Sequence, residues 1–64
     1  MGKTFYSVTY HAWGVNIANT AWFGNKAEAT AFSNHDYRDD VVAHHVSNPD
    51  TIKIYERYVA EESI

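Results

Sequence analysis

From Thr4 to Ala12 the chain runs through β-branched and aromatic residues in an alternating order that predicts a strand. Alternation places Tyr6, Val8 and Tyr10 on one face and Phe5, Ser7, Thr9 and His11 on the other. Gly14, with Asn16 close by, marks a hairpin connection around Trp13 to Val15. Residues 16–23 then read as the return strand. Ile17, Ala21 and Phe23 share one of its faces, and Asn16, Ala18, Thr20 and Trp22 share the opposite one.

The segment Gly24-Asn25-Lys26-Ala27-Glu28 predicts a helix start. The Asn25 side-chain oxygen can accept from the free N–H groups of a first turn, and Glu28 at N3 can reach back to complete a capping box. Ala27, Ala29, Ala31 and Phe32 favour helix, with Ala27, Ala31 and Phe23 expected to face inward. Weak helix formers follow at Ser33-Asn34-His35-Asp36. Tyr37, Val41, Val42, His45 and Val46 nonetheless recur at helical spacing, in a phase that does not continue from Phe32. The expectation is a kinked helix, or two helices meeting near Asn34–Asp36, that ends around Ser47 before Pro49. A competing reading makes Val41–Val46 a strand, paired through Asn48-Pro49-Asp50 with the next segment. Thr51–Val59 alternates, with Ile52 and Ile54 toward a core and Lys53, Tyr55 and Arg57 away from it, and reads as the last strand. Residues 60–64 read as a frayed acidic tail.

The expected architecture is a single α+β domain over residues 1–64 with element order β-β-α-β. A crossover from the second strand brings the third beside the first, giving a three-stranded antiparallel sheet of order 2-1-3. The kinked or split helix packs on one face. The other face is then expected to stand open, carrying Phe5, His11, Trp22, Lys53, Tyr55 and Arg57.

Composition sharpens this picture. Sixty-four residues make one domain, short of core and marginal in stability. The absence of cysteine removes disulfides, thiolate metal ligands and thiol catalysis together. A 16% aromatic content is heavy for so short a chain, and aromatics belong in cores or interfaces. No apolar run approaches a membrane span, and Met1-Gly2-Lys3-Thr4-Phe5 lacks the apolar stretch of a secretory signal, so a cytoplasmic setting is expected. Eight acids against five bases argue against a dedicated duplex-binding protein.

Candidate chemistry is thin. His35/Asp39 and Asp40/His44 have i,i+4 spacing on a helix, but a structural zinc site needs four ligands, so no metal or cofactor is assigned. Ser7, Ser33, Ser47 and Ser63 stand in no nucleophile elbow, and Gly24-Asn25-Lys26 lacks the pattern of a phosphate loop. No catalytic residue is assigned. The expected function is a non-catalytic protein-binding module that works through the open aromatic face, either on a protein partner or by self-association. Its size and composition suit a phage or mobile-element accessory protein that inhibits or modulates a host enzyme. A second expected surface is the acidic stretch Asp36, Tyr37, Asp39 and Asp40, suited to a basic partner. The alternative is a single-stranded nucleic-acid-binding module, with bases stacked on Phe5 and Tyr55 and phosphates met by Lys53 and Arg57.

Overall fold

The computed structural model describes residues 2–11 and 18–62. β1 spans Lys3–His11 and β2 spans Ala18–Phe23; the expected connection at Trp13 to Val15 lies outside the described residues. The two strands pair antiparallel in a register that sets Ser7 opposite Trp22 and Val8 opposite Ala21. α1, Lys26–Ser33, begins where expected: Asn25 Oδ1 accepts from the Ala27 N–H at 2.7 Å and from the Glu28 N–H at 3.3 Å. Its buried residue is Ala29, while Ala27 and Ala31 are exposed, so the helix is turned by roughly half a turn from the expected face.

Beyond α1 the segments exchange roles relative to the expectation. The helix stops at Ser33 instead of continuing to Ser47, and Val42–Val46 forms β3, the competing strand reading. Its partner is β1 and not the segment after it, with Lys3 opposite Val46 and Ser7 opposite Val42. Three of its five residues are β-branched or small, and a pleated edge position suits them better than a helix with two adjacent histidines. The region read as the last strand is instead a helix, α2, Pro49–Glu62, which also takes in residues 60–62 of the expected tail. Asn48 Oδ1 accepts from the N–H groups of Asp50 and Thr51, so Asn48 is the cap and Pro49 the first helical residue. Proline is at home there because its missing N–H would have no helical partner.

The result is an α+β fold in which a three-stranded antiparallel sheet of order β2-β1-β3 packs with two helices. Pairing parity defines the two sheet faces. Tyr6, Val8, Tyr10, Ala21 and Phe23 lie on one, and Phe32 of α1 meets Tyr10 and Phe23 there, at centroid distances of 5.6 and 5.3 Å. Phe5, Ser7, Trp22 and His44 lie on the other, and Tyr55 of α2 packs on Phe5 and Trp22 there, at 5.3 and 5.2 Å. The expected open face is thus covered, at least over this end of the sheet. Phe5 is the clearest sign: it is 1% exposed and, with Val8, one of the two largest fully buried side chains. Burying a side chain of this kind contributes about 1.5–3 kcal/mol.

Between α1 and β3, the chain rejoins the sheet early. Arg38 bridges Tyr10, and Ser7 pairs with Val42. Two β1 residues, Val8 and Thr9, therefore stand opposite three, Asp39, Asp40 and Val41, which is the signature of a β-bulge. The Asp39 N–H donates to the Thr9 carbonyl and the His11 N–H to the Tyr37 carbonyl, each at 2.9 Å. Arg38 closes the end of α1: Nη1 donates to the Phe32 carbonyl at 2.9 Å, and the guanidinium lies 3.8 Å from the centroid of the Phe32 ring.

Candidate functional site

The described side chains converge most densely where β2 meets α2. Trp22, near the end of the edge strand β2, is half-buried, and Tyr55 and Tyr58 lie one turn apart on α2. Trp22 meets Tyr55 edge-on at 5.2 Å and Tyr58 at 5.3 Å, and the two tyrosines are 5.7 Å apart. On the far side Trp22 lies 4.9 Å from the His44 ring of β3. That contact spans the central strand, and the small Ser7 between them makes it sterically available. Ser7 Oγ and His44 Nε2 are 2.7 Å apart, which fixes the imidazole against the indole.

The surface of this cluster is apolar and accessible. Tyr58 is 40% exposed and Ile54 47%, and their i,i+4 spacing sets them side by side on one flank of α2. Val42, 53% exposed, continues the row across the sheet from Trp22 and Ser7. Arg57, one turn from Ile54, rims the patch, while Lys53 points further round the helix; both are exposed. Among the described residues no helix is long and apolar enough to cross a membrane.

The residues expected to form one surface are therefore divided. Trp22 and Tyr55 do come together, although Tyr55 reaches the sheet from a helix rather than a neighbouring strand, and Arg57 stands exposed on the side of that helix away from Tyr55. Phe5 lies beneath Tyr55 and is closed to any partner, and the expected base-stacking pair of Phe5 and Tyr55 is an interior contact. His11 stands at the opposite end of β1, where Nε2 is 3.8 Å from an Asp39 carboxylate oxygen. Sequence reasoning missed Tyr58, Ile54, Val42 and His44. Reading 49–62 as a helix exposes the first two, because Ile52, Tyr55 and Val59 then form an inward stripe with Ile54 and Tyr58 on its flank.

The acidic stretch forms a second surface. Asp36, Tyr37, Asp39 and Asp40 are all exposed around the bulge. Tyr37 is 58% exposed and adopts a left-handed backbone with φ of 63°, an uncommon state for a bulky residue. The four positions are gathered by the bulge and not by a helix, so the helical spacings His35/Asp39 and Asp40/His44 no longer describe neighbours on one face. His44 and His45, adjacent on a strand, point to opposite faces, toward Ser7 and Thr4 respectively. Among the described residues no group of three or more His, Asp or Glu is arranged to hold a metal ion.

A serine hydroxyl against an imidazole is also the pairing of a nucleophile and its base. Here Ser7 is buried on the central strand, and among the described residues no carboxylate bonds the His44 ring. The arrangement supports Trp22 and shapes the cluster. Comparison with protein-family models, with curated proteins and with solved structures finds no match to this chain.

Proposed function

We propose that this chain is a small, non-catalytic protein-binding module whose contact surface is the ridge formed by Trp22, Tyr58 and Ile54, with Tyr55 and His44 behind it and Arg57 at its rim. The observation that carries the reading is the exposure of Tyr58 against a half-buried tryptophan, with exposed Ile54 one turn away on the same flank of α2. Contiguous apolar exposure is costly in a small domain, and Trp, Tyr and Arg are the residue types that dominate binding hot spots. The aromatics of the ridge pack on one another, so it suits occlusion of a partner's surface better than enclosure of a small ligand. Action in the cytoplasm, origin in a phage or mobile element and inhibition of a host enzyme belong to the same proposal. They rest on size and composition.

The test is an affinity capture that compares the wild-type chain with an Ile54→Glu/Tyr58→Ala variant, both positions being substantially exposed. The variant should keep the wild-type circular dichroism spectrum and lose the protein that the wild type retains. Capture of the same protein by both would place the contact surface elsewhere. Salt-sensitive binding of a single-stranded oligonucleotide, abolished by Lys53→Glu/Arg57→Glu, would replace this reading with nucleic-acid recognition.

A further inference from the structure

α2 covers one end of its sheet face. Tyr55 packs on Phe5 and Trp22, and Glu56 bonds Lys3, so these contacts fall on the Lys3–Ser7 half of β1. Toward the other end the same face carries Thr9 and His11 of β1 with Ala18 and Thr20 of β2. Of these only Thr9 is half-buried, and the other three are exposed. From Ser7 to His11 a strand covers about 13 Å, room for one helix of about 10–12 Å diameter. The ridge borders this open half: Glu56 holds Lys3 on one flank of α2, and Tyr58 meets Trp22 on the opposite flank.

Charge decides what can lie there. Asp50 precedes Ile54 by four residues and Glu61 follows Tyr58 by three, so exposed carboxylates stand at both ends of the apolar row on α2. At the far end of the sheet face Asp39 Oδ2 lies 3.8 Å from His11 Nε2, and the exposed Asp40 follows it in the chain. The five lysine and arginine residues are all placed elsewhere. Lys3 is paired with Glu56 on the opposite flank, while Arg38, stacked on Phe32, and Lys26, at the start of α1, belong to the other sheet face. Lys53 and Arg57 lie on the outer side of α2, where Arg57 reaches only the far edge of Ile54.

We infer that the partner of the ridge is a basic amphipathic helix lying beside α2 on the open half of the sheet. Its apolar stripe packs on Trp22, Ile54 and Tyr58, and its cationic side chains face Asp39, Asp50 and Glu61. The inference rests on the ridge being the contact surface and adds the chemistry of what that surface takes. A second helix on this face completes the layer that α2 begins. An extended segment would pair along a sheet edge and leave Ile54 and Tyr58 in solvent. The same carboxylates disfavour a nucleic acid or an anionic membrane surface.

The probe is a synthetic helix as long as α2, built of leucine and lysine with leucines at i, i+3, i+4 and i+7, titrated calorimetrically into the full chain at low salt. It should bind one to one, weaken as salt rises, and bind at least about tenfold more tightly than the same helix with glutamate in place of lysine. A scrambled order of the same leucines and lysines should fall behind by a similar factor. Backbone amide shifts should gather at Thr9, Thr20, Val42, Ile54 and Tyr58. Asp39→Lys/Glu61→Lys, at exposed positions, should keep the wild-type circular dichroism spectrum and weaken the lysine helix about tenfold. Ile54→Ser gives a second readout of the same loss if that variant fails to fold. Equal binding of the lysine and glutamate helices, or shifts confined to the α1 face, would overturn the inference. If the lysine helix fails while Ile54→Glu/Tyr58→Ala still abolishes capture of a protein, the partner chemistry is overturned and the ridge stands. Equal capture by both chains overturns the two together.

Discussion

Arg38 shows how much one side chain carries in a chain this short. No basic residue stands in the last turn of α1, and Arg38 supplies that charge from outside the helix, bonding the Phe32 carbonyl and covering the Phe32 ring. Replacing it with Met keeps the apolar stem but removes both contacts. Arg38→Met should destabilise the fold by about 1–2 kcal/mol in chemical denaturation. Lys3 makes the instructive contrast. Its 3.1 Å ion pair with Glu56 joins two half-exposed side chains, so Lys3→Met should change stability by less than about 0.5 kcal/mol. Tyr37 points the other way. Its left-handed backbone is strained for any residue with a Cβ, so Tyr37→Gly should leave stability unchanged or raise it by up to about 1 kcal/mol, read from the same denaturation curves. A tyrosine retained at that strain, with its ring in solvent, marks Tyr37 as the first residue to vary when a basic partner is sought for the acidic bulge.

Among the elements, α2 is held most lightly. None of its described side chains is fully buried, and it docks through Tyr55 against Phe5, Trp22 and His44. Tyr55→Ala should therefore cost about 2–3 kcal/mol, less than truncating a fully enclosed aromatic. Amides of α2 should lose hydrogen-exchange protection before those of β1, since an element with few buried contacts opens first. Element identity was only partly legible along the chain. Asn25 followed by Glu28 marked the start of α1 because a cap is a local device, complete within four residues. Asn48-Pro49 carried the same kind of signal, yet Pro49 reads equally well as the end of one helix and the first residue of the next. Ile52 and Ile54 fit strand alternation as well as they fit a helix, and α2 settles the matter by leaving Ile54 in solvent.

For the molecule as a whole, thin burial makes small local terms decisive. The two asparagine caps sit on separate helices packed against opposite sheet faces, so their effects should add. Asn25→Ala/Asn48→Ala should cost about 2 kcal/mol, the sum of two caps, measured as a fall in the denaturation midpoint against each single variant. In a domain of marginal stability such a loss is a large share of the total.

The candidate site was legible in part. Trp22, Tyr55 and Arg57 stood out as aromatic and basic residues beyond what a core would absorb; Trp22 and Tyr55 do lie together, while Arg57 stands exposed on the outer side of α2. Placing Phe5 beside them on an open surface failed because alternation reveals which residues share a face of a strand, not what lies over that face. Alternation along residues 4–11 and 18–23, the cap at Asn25 and the aromatic surplus were enough to dictate the β-hairpin pairing, the onset of α1, and an α+β sheet of order 2-1-3. Those signals are local, or depend on a strand and its nearest neighbour in sequence. Which segment became the third strand depended on a competition at long range. Val42–Val46 and Thr51–Val59 both alternate well enough to pair with β1, and the chain gains more by pairing the first and folding the second over Phe5 as a helix. That gain comes from Tyr55 and Trp22 meeting across the sheet, a contact no local pattern records, because hydrophobic burial is set by what covers a surface rather than by the residues that form it.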